Sequence, residues 1–122
     1  MKGKKILVID DDLMYTDMLS EILTAEGAEV EVAHTGAAGI TRASVLKPDL
    51  ILCDVMMPAM RGTEVLGLVR ASDWGKDVPF ILLSNMSQPE IEEARTGYTE
   101  CLLKTDLTLD QIAEKIKSVL GV

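Results

Sequence analysis

The sequence predicts a doubly wound α/β domain, a five-stranded parallel sheet assembled from five βα units. Two observations predict it. Short apolar runs recur five times along the chain, and each is separated from the next by a segment long enough for a helix. No linker, repeat or low-complexity stretch interrupts this alternation, so residues 1–122 read as a single domain.

The elements follow in order. Residues 4–9 (KKILVI) form the first strand, apolar on both faces from Ile6 onward, and end against Asp10, Asp11 and Asp12. Tyr15, Leu19, Ile22, Leu23 and Glu26 then mark one face of a first helix. Residues 29–33 (EVEVA) alternate Glu29 and Glu31 with Val30 and Val32, as a half-exposed edge strand does. Residues 50–53 (LILC) and 80–83 (FILL) are apolar on both faces and, with the first run, belong in the centre of the sheet. Val65, Leu66, Leu68 and Val69 share a helical face between them. Residues 101–103 (CLL) form the last strand, and Leu109, Ile112, Ile116, Val119 and Leu120 mark a final amphipathic helix. One edge strand and three central ones fit the flavodoxin-like order 2-1-3-4-5. Gly27, Gly36, Gly39, Gly62 and Gly97 are expected mostly between elements, where tolerance of positive φ is useful.

Composition excludes several functions. A net charge of −8 argues against nucleic acid or an anionic membrane as a direct ligand, because both call for a basic face. The longest apolar runs fall far short of the roughly 20 residues that span a bilayer, and the N-terminus lacks the apolar stretch of a signal peptide. A cytoplasmic protein is expected. Cys53 and Cys101 lie in apolar segments without a second metal ligand at useful spacing and read as reduced, packed thiols.

The acidic triplet poses the chemical question. Adjacent carboxylates repel, so a fold that keeps Asp10, Asp11 and Asp12 together is expected to supply a cation or a proton. A solvated turn is the simpler alternative, with Asp12 as a helix N-cap. The strand ends favour a site: the first strand ends in Asp10 and Asp11, the third in Asp54, the fourth in Ser84 and the fifth in Lys104. In a parallel sheet these carboxyl ends share one edge. Three carboxylates gathered there make a hard oxygen site suited to Mg²⁺. Lys104 either neutralises the acids or, together with a metal, holds a polyanionic group such as phosphate.

At these residues the sequence resembles the receiver domains of bacterial two-component response regulators. The resemblance runs from about residue 4 to residue 120 and rests on ILVIDDD, DLILCDVMMPAMRG, FILLSN and CLLK, with CDVMMPAMRG the most specific. It implies a phosphorelay role: Asp54 accepts a phosphoryl group from a phosphohistidine of a sensor kinase or histidine phosphotransfer protein. It also implies that Asp11, Asp54 and the backbone carbonyl of Met56 bind Mg²⁺ (or Mn²⁺), with Asp10 acting through water. The same resemblance implies that Lys104 and Ser84 hold the phosphoryl oxygens, and that Ser84 and Cys101 occupy the switch positions that reshape the surface of the fourth helix, fifth strand and fifth helix. The positions two after Asp54 and two after Ser84, Met56 and Met86, flank the path of the hydrolytic water. Two thioethers there imply a long-lived phosphorylated state, with self-phosphorylation and slow autodephosphorylation as the only catalysis. Met14, Met18, Thr105, Asp106 and Leu107 fall where such domains meet the kinase. The readout is then a downstream protein target or an output domain outside this sequence.

Three departures accompany the matches. Cys101 stands where many members carry the switch aromatic, Thr105 replaces the proline that commonly follows the lysine in a cis peptide, and residues 84–97 are about two shorter than the common pattern, which trims the fourth helix. A haloacid-dehalogenase-like phosphatase is an alternative, since DDD offers a spaced acidic pair, but that family uses its first-strand aspartate as nucleophile. A phosphorylation-independent interaction module of the same fold is another. It would normally lose Asp11, Asp54 or Lys104, and all three are here. His34 is expected away from the acidic cluster in a solvated or capping role, and Asp73 and Trp74 to close a helix end before Gly75. Met14 and Met18 lie either on an offset, outward face of the first helix or on a second core stripe.

Overall fold

In the computed structural model, residues 1–85 and 97–122 are described. They form β1 (Lys5–Ile9), α1 (Leu13–Ala25), β2 (Glu29–Ala33), α2 (Gly36–Leu46), β3 (Leu50–Asp54), α3 (Gly62–Ala71), β4 (Phe80–Ser84), β5 (Glu100–Leu103) and α4 (Leu109–Leu120). Single 3-10 turns occupy Asp73–Gly75 and Lys104–Asp106. The strands are all parallel in the order β2-β1-β3-β4-β5, as the sequence predicts. The helix expected between Ser84 and Gly97, and with it Met86, lies outside the described residues.

Strand alternation splits the core in two. Leu7, Ile9, Ile51, Cys53, Phe80 and Leu82 face α2 and α3, while Ile6, Val8, Leu50, Leu52, Ile81 and Leu83 face α1 and α4. Successive side chains of a strand point to opposite faces, so strands covered on both sides must be apolar throughout. β3 and β4 are accordingly buried along their whole length, while β2 is half-exposed at its edge.

Polar residues fix the helix starts. Asp12 Oδ1 accepts from Tyr15 N at 3.1 Å, Thr35 Oγ1 from Ala38 N at 3.1 Å, and Thr108 and Gln111 form a reciprocal capping box. Arg70, at the end of α3, donates to the carbonyls of Gly75 (2.8 Å), Val78 (2.7 Å) and Gly97 (2.7 Å). It thereby ties α3 to the chain entering β4 and β5.

Several sequence expectations change. Leu68 points outward at 48 % exposure, because the face of α3 that meets the sheet is covered by Val65, Leu66 and Val69. Glu26 is solvent-facing and pairs with Lys117 of α4 at 2.6 Å instead of packing inward. Gly36 and Gly39 sit within α2, not in a connection. Asp73 and Trp74 do close the end of α3, within the 3-10 turn, and Trp74 packs against the core.

Candidate functional site

The sheet register assembles the site. Ile9 lies opposite Cys53, Asp54 opposite Leu83, and Ser84 opposite Leu103, so the residues that end these strands reach the carboxyl edge within a residue of one another. Asp10, Asp54 and Ser84 are 1 %, 4 % and 0 % exposed, in a protein whose other deeply buried residues are nearly all apolar. Lys104 crosses from β5 to place Nζ 2.7 Å from Asp10 Oδ2 and 3.5 Å from Asp54 Oδ1. The first contact is a strong charge-assisted hydrogen bond. The second is an ion pair too long for one.

The three aspartates have three different roles. Asp10 is buried against Lys104, and its second oxygen accepts from the backbone N–H of Asp12 at 3.0 Å. Asp11 is exposed, yet its carboxylate completes a cluster in which Asp10, Asp11 and Asp54 each offer an oxygen within 4.8 Å of the others. Asp12 caps α1. The helix cap and a cluster of carboxylates close enough to hold a metal ion are thus divided among neighbouring residues.

Electrostatics at Asp54 are unfavourable without a further cation. Burial first, and then the Asp10 charge, raise its carboxyl from 3.8 to about 6 against the opposing pull of Lys104. Among the described residues Asp54 Oδ1 is a buried oxygen without a hydrogen-bond partner. A hard divalent cation suits this donor set, since it would neutralise the surplus charge and engage the oxygen that takes no hydrogen bond. The neighbouring Cys53 thiol is pushed up by burial and donates to the Asp54 carbonyl at 3.3 Å, which makes it a core residue and not a nucleophile.

The loop after β3 folds back on the acceptor strand. Gly62 N donates to Val55 O at 2.9 Å, and a Cβ on Gly62 would lie 2.2 Å from the Asp54 carbonyl oxygen. Glycine is therefore required here for close approach. Positive φ falls instead on Ala59 (φ 67°), at the centre of a γ-turn closed by Met60 N to Pro58 O at 2.7 Å. Met56, in the same loop, is 43 % exposed, with its sulfur 3.3 Å from Arg61 Nη1.

Other anticipated residues are placed as follows. Cys101 is half-buried opposite Leu82 and packs on the α2/α3 side of the sheet. Thr105 and Asp106 are exposed in the turn begun by Lys104, and Leu107 packs against the α1/α4 core. The Lys104–Thr105 peptide is trans. Met14 and Met18 are 73 % and 48 % exposed, so they are the offset face of α1 and not a second core stripe.

Two neighbours were not legible as site residues. His34 is not remote from the acids: its Nδ1 lies 3.0 Å from the Asp10 carbonyl, which can only accept, so Nδ1 carries the proton. The alternation that marks an edge strand gives no indication of where the residue after it will turn. The ring of Tyr15 lies 4.4 Å from Lys104 Nζ. Burial, followed by the charges of Asp10, Asp54 and Asp12, raises its phenol above the ordinary range and keeps it neutral.

Known proteins share this fold and sequence pattern. The sequence model of the response regulator receiver domain matches residues 6–117. The fold superposes on the chemotaxis response regulator CheY4 of Vibrio cholerae with a TM-score of 0.87 at 29 % identity, covering 97 % of this chain and 99 % of that one. The response regulator TrrA of Thermotoga maritima, solved in complex with Mg²⁺-BeF, matches with a TM-score of 0.85 at 31 % identity over 95 % of this chain and 98 % of that one. The DNA-binding response regulator MtrA of Mycolicibacterium paratuberculosis is 37 % identical over 81 residues, 66 % of this chain and 35 % of its own length. This chain thus aligns with about a third of that relative.

Proposed function

Because the chain belongs to the response regulator receiver domain family, we propose that Asp54 is its phosphoacceptor and that the strand-end cluster carries the transfer. A carboxylate oxygen of Asp54 attacks phosphorus, the P–N bond of a phosphohistidine breaks, and the imidazole leaves with the electron pair. The product is an acyl phosphate. The observation that carries this reading is a buried carboxylate, one oxygen of which takes no hydrogen bond among the described residues, set between Asp10, Asp11 and Lys104.

Asp11, Asp54 and the backbone carbonyl of Met56 would hold Mg²⁺ or Mn²⁺ directly, with Asp10 beyond a water. When bound, the ion neutralises charge on the transferring phosphoryl oxygens. Lys104 supplies a fixed positive charge to the same oxygens, and Ser84, at the end of β4, a hydroxyl. Charge-assisted bonds of about 1.5–3 kcal/mol each would total about 3–6 kcal/mol. Driving a two-state equilibrium from 1:99 to 99:1 takes about 5.5 kcal/mol, so these two contacts are of the size a switch needs. Drawing Ser84 toward the phosphoryl group would re-dispose the chain after β4 and the surface near β5, where Cys101 offers a small side chain in place of an aromatic one.

The remaining roles are proposed on the family resemblance. Met14 and Met18, with Thr105, Asp106 and Leu107, would meet the histidine kinase or phosphotransfer protein, since flexible methionines suit such contacts. Met56, with Met86, would restrict water and prolong the phosphorylated state. Among the described residues no helix is long and apolar enough to cross a membrane, in keeping with a cytoplasmic phosphorelay protein. The signal would pass to a protein target or to an output domain beyond this sequence. The haloacid-dehalogenase alternative has no counterpart in the family match, and its nucleophile would follow β1, where Asp10 is already paired with Lys104.

The test is intact mass after incubation with acetyl phosphate and Mg²⁺. One phosphoryl group should add to the wild type and none to Asp54→Ala. Full labelling of that variant would overturn the assignment, and an unlabelled wild type would leave a phosphorylation-independent interaction module.

A further inference from the structure

Lys104 reaches the acceptor on a flexible four-carbon stem, and one contact that restrains it belongs to none of the roles above. Tyr15 is the third residue of α1, and its backbone N–H donates to the Asp12 cap at 3.1 Å, which fixes the helical turn that carries it. Its ring packs against the core between the sheet and the α1 and α4 helices. The ring also faces the lysine, with Nζ 4.4 Å from the ring centroid, inside the roughly 6 Å range of a cation–π contact. Lys104 is only 12 % exposed, so the contact is poorly screened by water. The phenol hydroxyl takes no visible part: it is buried and, among the described residues, without a hydrogen-bond partner. The ring is what meets the ammonium.

We propose that Tyr15 is a positioning residue for phosphoryl transfer: its aromatic face holds the Lys104 ammonium over the Asp10–Asp54 pair, so that the cation is in place before the phosphoryl group arrives. The proposal rests on the phosphoacceptor reading above. Without the ring, Lys104 keeps its 2.7 Å bond to Asp10 but loses its restraint on the other side. The cation would then have to be reoriented during the reaction, and preorganised charge is worth most where charge develops in the transition state. The loss should therefore fall on the maximal rate and not on half-saturation by the donor.

Two measurements on the full chain test this, with Tyr15→Phe, Tyr15→Leu and Tyr15→Met, each first checked for a wild-type thermal transition. In the metal-free protein, the ε-methylene resonance of Lys104 should be shifted upfield by the ring current. That shift should persist in Tyr15→Phe and vanish in Tyr15→Leu and Tyr15→Met. With Mg²⁺ and increasing acetyl phosphate, Tyr15→Phe should keep the maximal labelling rate of Asp54, and the two aliphatic variants should lose roughly three- to thirty-fold. An unshifted Lys104 in the wild type, unchanged rates in Tyr15→Leu and Tyr15→Met, or an equal loss in Tyr15→Phe would each overturn the proposal. A wild type that shows the shift but takes no phosphoryl group would overturn the phosphoacceptor reading, and with it any role in transfer.

Discussion

Asp54 is 4 % exposed, is shielded from water on a sheet apolar along both neighbouring strands, and faces Asp10. Its folded-state pKa is raised from 3.8 to about 6, so over that interval the native state binds the proton more tightly than the unfolded chain does. Stability of the metal-free protein therefore falls as pH rises through this window, and the penalty is complete above about 6. Replacing the carboxylate by a neutral isostere removes the penalty. Asp54→Asn should be more stable than the metal-free wild type by about 1–3 kcal/mol near neutral pH. The gain should shrink as pH falls toward 3.8, and added Mg²⁺ should stabilise the wild type much more than the variant. Urea denaturation across the pH range decides this, and a gain independent of pH would contradict it.

The connection between β3 and α3 concentrates two backbone constraints of opposite sign. Ala59 adopts φ 67°, which costs an L-residue about 1–2 kcal/mol. Glycine would remove that strain but give back roughly 0.4–1 kcal/mol through its freer unfolded chain. Ala59→Gly should accordingly stabilise the protein by about 0.5–1 kcal/mol. At Gly62 the limit is space: an alanine methyl would stand 2.2 Å from the Asp54 carbonyl oxygen. Gly62→Ala should cost about 1–3 kcal/mol or more, and should slow labelling of Asp54, because the backbone that must give way carries the acceptor. Denaturation midpoints and labelling rates of the two variants should move in these opposite senses.

At the scale of the whole molecule, a few large apolar side chains stay outside the core. Leu13, Met14, Met18 and Met56 are 61 %, 73 %, 48 % and 43 % exposed, while β3 and β4 are buried along their whole length. The outward methionines contribute little to the core, so Met14→Glu with Met18→Lys should change stability by less than about 0.5 kcal/mol per site. The double variant should nonetheless slow transfer from a phosphohistidine donor protein several-fold, while labelling by acetyl phosphate, which needs no docking, stays at the wild-type rate. Equal slowing with both donors would place the defect in the acceptor site and remove these residues from the docking surface.

The strands, their order and the residues that end them are legible in the sequence. Alternation with period two separates the edge strand EVEVA from LILC and FILL, and the residue that ends each parallel strand must lie on the common edge, whatever the helices do. Asp10, Asp11, Asp54, Ser84 and Lys104 were legible for that reason. The tertiary structure alone decided which side chains approach them. Tyr15 beneath Lys104, His34 on the Asp10 carbonyl and Arg70 on three separate carbonyls depend on how far each helix is rotated and how each loop closes. The strained φ at Ala59 and the glycine at 62 follow from the same closure. A periodic pattern encodes which face of an element is apolar. It does not encode which residue of a distant element that face will meet, because that pairing is set by packing the whole chain at once.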